Sequence, residues 1–188
     1  MRIVGGSHRG RRLVAPPGET VRPTSDRARE GLFNILSHGG LAAEGIPFAD
    51  AAVLDAFAGT GAFGLEALSR DAAEAVFVEN DRDALAALRR NIVALGETAR
   101  SRVIAGDATR PPRATVSCAV VFLDPPYKSG LAAPALTALA VAGWLSPDAL
   151  AVAEIGAREA FLLPDGFALL DERVYGAARL VFLRRGNE

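Results

Sequence analysis

Cysteine is nearly absent from this chain of 188 residues, where Cys118 stands alone. One cysteine excludes an internal disulfide and suits a reducing compartment. Histidine is almost as scarce, and His8, His38 and Cys118 are scattered too widely to assemble a zinc site of usual composition. No metal is expected, and the same three residues offer no nucleophile constellation. No apolar run reaches the roughly 18 residues that a membrane span needs. The N-terminal MRIVGGSHRG has no signal-peptide apolar stretch, so the expectation is a cytoplasmic protein without membrane contact. Aromatic residues make up only 6% of the chain, and Trp144 and most phenylalanines are expected in the core.

Hydrophobic residues are half of the sequence and charged ones 23%, ordinary values for a globular domain with a full core. Lysine is restricted to Lys128, so the positive charge is carried by arginine. That charge is unevenly spread. Residues 1–30 hold seven arginines against Glu19, Asp26 and Glu30, a balance of +4, whereas the remainder carries −5. A basic arm on an acidic body is the pattern expected where one end meets a polyanion.

RIVGG (2–6) and RRLVAP (11–16) are short β-like pieces around SHRG, which predicts a hairpin. TSDRAREGLFNILSH (24–38) places Ala28, Leu32, Ile35 and Leu36 at helical spacing, with Thr24 or Ser25 as N-cap. Residues 1–40 are thus expected to form a basic extension, and residues 41–188 the main domain. From residue 51 strands and helices alternate. AAVLD (51–55), AVFVE (75–79), RVIAGD (102–107), CAVVFLD (118–124) and ALAVAE (149–154) are strand candidates, separated by helical runs at 62–70, 82–95 and 130–142. This order predicts an α/β, Rossmann-like fold with a mainly parallel sheet. FALLDERVY (167–175) and ARLVFLRR (178–185) have no helix between them and predict an antiparallel hairpin at one edge, giving seven strands.

DAFAGTGAFG (55–64) contains a complete G-x-G-x-x-G, the pattern of a dinucleotide site. An acid four residues ahead of the first glycine opposes a pyrophosphate, which needs bare N–H groups. Asp55 is one of four acids that end successive strand candidates, with Glu79, Asp107 and Asp124. In an open parallel sheet the C-terminal strand ends share one ligand-binding edge, so these carboxylates are expected along one rim. S-adenosylmethionine suits that rim, having a sulfonium, an ammonium, a ribose diol and an adenine amine. Glu79 is expected on the ribose, Asp107 on the adenine amine and Asp55 on the amino-acid side. Gly59 and Gly61 are expected to let the backbone approach the methionine part, with Phe57, Asn80 and Ala108 completing the cofactor set. Gly64 is expected to serve close helix–sheet packing.

Asp124-Pro-Pro-Tyr127 follows the apolar strand CAVVFL. As structure alone, it is a strand end broken by two prolines. As chemistry, Asp124 offers a carboxylate acceptor and Pro125 a stiffened carbonyl, with no proline N–H to compete. An exocyclic amine with two hydrogens needs such a pair, and donating both turns its lone pair towards a methyl donor. Tyr127 offers a ring on which a base can stack. Asp124, Pro125 and Tyr127 are therefore the candidate catalytic residues, with adenine N6, cytosine N4 and guanine N2 all open as targets.

DAFAGTGAFG and DPPY together resemble class I S-adenosylmethionine-dependent methyltransferases that act on nucleobase amines. RIVGGSHRGRRLVAPPG followed by RPTSDRAREGLFNIL closely resembles the bacterial 16S rRNA guanine-N2 methyltransferase family known as RsmD. The resemblance runs from Arg2 to about Arg184. It implies methyl transfer to a guanine N2 amine of 16S rRNA in the small ribosomal subunit, with Arg9, Arg11, Arg12 and Arg22 as phosphate contacts. The competing function is an amino-methyltransferase acting on adenine or cytosine in DNA or another RNA. About 130 residues after Asp55 leave no room for a DNA target-recognition domain. An NAD(P) oxidoreductase is favoured only by the glycine pattern and gives no account of DPPY. A non-catalytic RNA-binding module would have no use for its acceptors.

Overall fold

The computed structural model of the chain describes residues 1–16, 26–38 and 49–186. The strands are β1 (Ala52–Ala56), β2 (Glu74–Glu79), β3 (Ser101–Ala105), β4 (Cys118–Leu123), β5 (Leu145–Gly156), β6 (Phe167–Tyr175) and β7 (Ala178–Arg185). The helices are α1 (Asp26–His38), α2 (Ala62–Ser69), α3 (Arg82–Leu95) and α4 (Ala132–Val141). One sheet takes the order β3-β2-β1-β4-β5-β7-β6. It is parallel from β3 to β5, and β7 then runs antiparallel to both β5 and β6. The expected α/β fold, with an antiparallel hairpin at one edge, is what forms. β1, β2 and β4 are buried along nearly their whole length and mostly apolar, because helices cover both faces of a parallel sheet.

The strand order reverses between β1 and β4, which lie side by side although β2 and β3 intervene in sequence. At such a switch point the loops leave in opposite directions and open a crevice above the strand ends. On one face, Phe122 of β4 stacks on Phe63 of α2 at 5.4 Å and tilts against Phe33 of α1 at 5.6 Å. On the other face Trp144 is buried in a separate cluster with Leu136 and Leu139, its indole N–H donating to the Pro112 carbonyl at 2.8 Å. Trp144 is thus a core residue, as expected.

Two boundaries differ instructively. The strand expected over 102–107 stops at Ala105; the Gly106 N–H still makes the last ladder bond to the Glu79 carbonyl, after which Asp107 closes a turn by accepting from the Thr109 N–H. The strand expected over 149–154 runs from Leu145 to Gly156, and its register against β4 shifts between Cys118 and Val120 to absorb the extra residues.

The N-terminal hairpin is reduced to a single antiparallel bridge between Arg2 and Arg12. Its arms are joined by the Ile3 N–H donating to the Arg11 carbonyl at 2.9 Å and the Leu13 N–H to the Met1 carbonyl at 3.2 Å, and α2 takes up further polar groups. The Val4 N–H donates to Glu66 Oε2, Ser7 N–H to the Ser69 carbonyl, and the Ser69 hydroxyl to the Gly5 carbonyl. Glu66 is fully buried, pairing with Arg70 at 2.8 Å and lying 3.8 Å from the Arg29 guanidinium of α1. Ile3, Leu13, Leu32 and Phe33 join the same apolar cluster as Val53, Leu65 and Phe122. Over the described residues, the 1–40 extension and the 41–188 domain therefore share one core. The expected caps Thr24 and Ser25 lie outside those residues.

Candidate active site

The crevice at the switch point holds a cavity of about 340 Å³. Its floor is the loop between β1 and α2. Phe57 there adopts φ +62°, a left-handed conformation that is costly for a bulky residue and is retained mostly at functional sites. Gly59 also has positive φ, and a side chain added there would meet nothing within 4 Å, so it presents bare backbone to the cavity. The Gly59 N–H donates to Glu79 Oε2 at 2.7 Å, while Glu79 Oε1 accepts from the N–H groups of Asn80 and Asp81, each at 2.8 Å. One carboxylate at the end of β2 thereby locks two loops together. Asp81, also on the cavity wall, caps α3 by accepting from Asp83 and Ala84.

The opposite wall is Asp124, Pro125, Pro126 and Tyr127, leaving the end of β4. Tyr127 donates its hydroxyl to Glu154 Oε1 at 2.9 Å, and Glu154 itself is buried at the cavity edge on β5. From the N-terminal arm, Met1 reaches the cavity and its sulfur accepts from Thr60 Oγ1 at 3.5 Å. Asn91 of α3 fastens that arm to the floor, its amide donating to the Val14 and Thr60 carbonyls.

The structure thus gathers Phe57, Gly59, Glu79, Asn80, Asp124, Pro125 and Tyr127 around one cavity. It does not place Asp55, Gly61, Asp107 or Ala108 on that wall. Asp55 lies beneath the loop, 1% exposed, accepting from the Gly64 N–H at 2.8 Å. Burial, with Glu79 nearby, pushes its carboxyl up to about 8 against the hydrogen bonds that oppose this. Gly61 opens α2, and any Cβ there would sit 2.4 Å from Leu88 Cδ1, so it serves helix packing. Gly64 does too, being pressed against the Phe77 ring. Asp107 accepts from the Thr109 N–H and hydroxyl, which hold its carboxyl below the usual range, and Ala108 is buried in the core.

Four carboxylates do line the cavity, but they are Glu79, Asp81, Asp124 and Glu154. Glu154 was legible by the same rule as the others, since ALAVAE also ends in an acid. Met1 carries no local signal. Among the described residues on the wall there is no lysine or arginine. Of the basic arm, Arg9, Arg11 and Arg12 are all exposed, and Arg11 also donates to the Ala94 carbonyl near the end of α3 at 2.7 Å. Arg22 lies outside the described residues. Cys118 is buried in the sheet, which pushes its thiol up to about 12 and leaves it inert.

The profile of the family described as Conserved hypothetical protein 95 matches residues 1–184. The ribosomal RNA small subunit methyltransferase D of Escherichia coli K12 is 38% identical over 178 residues, covering 94% of this chain and 85% of the relative. The chain belongs to the RsmD methyltransferase family. Its Haemophilus influenzae counterpart is 34% identical over 181 residues, covering 94% of this chain and 89% of that one. The solved structure of a putative methyltransferase, yhhF, from Escherichia coli superposes with a TM-score of 0.83 at 37% identity, covering 100% of this chain and 99% of that one. The RsmD fold thus extends to the N-terminal arm.

Proposed function

We propose that the chain transfers a methyl group from S-adenosylmethionine to the exocyclic N2 amine of a guanine in 16S rRNA, within an assembled or assembling small ribosomal subunit. The observation that carries this is the meeting of Asp124-Pro-Pro-Tyr127 with Glu79 and the glycine loop around one cavity. A wall with four carboxylates suits a cofactor bearing a sulfonium and an ammonium, and it opposes a pyrophosphate. That contrast disfavours a nicotinamide dinucleotide.

S-adenosylmethionine supplies an electrophilic methyl group when bound. Glu79 holds the ribose diol, with Gly59, Phe57 and Asn80 shaping the surrounding wall. Asp107, at the neighbouring strand end, takes the adenine amine, and Asp55 and Gly61 support the floor from below. Asp124 and the Pro125 carbonyl accept the two amine hydrogens of the target, which orients the nitrogen lone pair and removes the freedom of the reacting pair. Asp124 takes up the released proton directly or through solvent. Tyr127 stacks on the base, which must leave its own stack to reach the cavity. Arg9 and Arg12 contact RNA phosphates. Arg22 would join them, while the bond from Arg11 to Ala94 gives it a structural duty as well.

The test is incubation with labelled S-adenosylmethionine and either free 16S rRNA or unmodified small subunits, followed by mass identification of the nucleoside. N2-methylguanosine is expected. Label in N6-methyladenine or N4-methylcytosine, or none in RNA, overturns the reading.

A further inference from the structure

Beside the cavity lies a second groove of about 750 Å³, formed by the 127–130 loop, the 156–160 loop and the 176–177 turn between β6 and β7. Tyr127 lines both spaces, so the groove continues directly from the place where the target base is expected. Lys128 and Arg158 line it and are exposed. Neither has an ion-pair partner among the described residues.

A carboxylate is present too, but it is occupied. Glu159 Oε2 accepts from the Lys128 N–H at 2.8 Å and from the Gly156 N–H at 3.1 Å. Burial would raise its carboxyl, yet the N–H groups of Lys128, Gly156 and Gly130, with Arg179 close by, hold it below the usual range. Lys128 has φ +61°, which turns the chain sharply after Tyr127, and the Glu159 hydrogen bond supports that turn. The negative charge is therefore directed inward at backbone amides, while the two cations face outward. The remaining wall is glycine and alanine, which leaves the width of the groove to a bulky occupant.

We propose that this groove receives the RNA strand adjoining the methylated guanine, with Lys128 and Arg158 holding its phosphates. The proposal rests on the guanine-methylation reading above and extends it from the target base to its neighbours. A base turned onto Tyr127 carries its backbone with it, and the groove continues from that same ring. Enzymes that extrude a base draw their sequence context from contacts to the flanking nucleotides, and this groove supplies such contacts.

The test compares the wild type with the double variant Lys128→Ala/Arg158→Ala, using small subunits and protein-free 16S rRNA that both lack the modification. S-adenosylmethionine affinity, measured by calorimetry, reports that the cavity has folded. The double variant should bind both RNAs roughly tenfold more weakly or worse. The log–log salt slope of binding should fall by about 1.4, or about 0.7 for each lost single-strand phosphate contact. Lys128→Glu/Arg158→Glu should weaken binding further, and Lys128→Arg/Arg158→Lys should restore it. Wild-type affinity and slope in the alanine variant overturn the groove while leaving the methylation reading intact. A loss confined to assembled subunits makes the occupant a ribosomal protein, which also overturns it. Absence of N2-methylguanosine with the wild-type enzyme overturns the underlying reading itself, and is seen before any variant is compared.

Discussion

The two walls of the cavity are built differently. On the cofactor side, Glu79 is satisfied by backbone N–H groups of its own and the adjoining loop, from Gly59, Asn80 and Asp81. On the target side, the loop that leaves β4 is held by side chains from beyond it in sequence. Glu154 takes the Tyr127 hydroxyl, 27 residues away, and Glu159 takes the Lys128 N–H, 31 residues away. A wall fixed by backbone amides tolerates few states, because its donors are set by strand ends and helix caps. The Lys128 N–H bond to Glu159 is of the same kind as those at Glu79. What sets the target side apart is the side-chain bond between Tyr127 and Glu154, which a single substitution can retune. The ring that faces the target is thus the part of the cavity held by a side-chain bond, while the carboxylate at the end of β2 is held by backbone amides.

Replacing Asp124 by alanine should have the largest effect. Loss of the amine acceptor should lower kcat on the order of 10²–10⁴-fold. Cofactor affinity, read by calorimetry, should change little; normal turnover would break the division between the walls. Glu79→Ala is its mirror image. It removes a hydrogen-bonded carboxylate and should weaken S-adenosylmethionine binding by about tenfold or more, and an unchanged dissociation constant would refute the ribose assignment.

Tyr127 separates the ring from its tether. Tyr127→Phe keeps the stacking face and loses the bond to Glu154, so kcat/KM for RNA should fall by about tenfold. Tyr127→Ala should fall further, stacking being worth roughly 1–3 kcal/mol per base. Equal losses would mean that the ring does no stacking. The smallest effect concerns the floor. With its folded carboxyl at about 8 against an ordinary 3.8, Asp55 keeps a proton in the folded state that the unfolded chain releases at lower pH. Its contribution to stability is therefore full below about pH 4 and declines as pH rises towards 8. Asp55→Asn should flatten that part of the melting-temperature profile of the cofactor-free protein, and an unaltered slope would show that Asp55 ionises freely.

Much of this was legible in sequence, for local reasons. β-like runs ending in acids, a glycine loop and DPPY are each short-range patterns, and the parallel order follows from strand–helix alternation. β6 and β7 fall over 167–175 and 178–185, as their lengths and the missing helix between them suggest. The acids show where local reading stops. Asp55 and Glu79 look alike as strand termini, yet one sits beneath the loop and the other on the cavity wall. Asp55 pairs in register with Phe77, so Glu79 stands two residues further along the same face, past the last residue of β1, where the crevice opens. The small N-terminal hairpin forms as expected, but its attachment to α2 through Glu66 and Ser69 depends on residues some sixty positions away and has no local signal.

The sequence alone determined the α/β alternation, the pairing of the glycine loop with DPPY, and the family that this pairing and the N-terminal block resemble. These are contiguous patterns in which neighbours in the chain are neighbours in space. Only the tertiary structure decided which four carboxylates face the cavity, that Met1 reaches it, that Arg11 is engaged at Ala94, and that Glu154 and Glu159 brace the catalytic loop. Each of those depends on segments distant in the chain being brought together by the sheet order, and no local spacing encodes that.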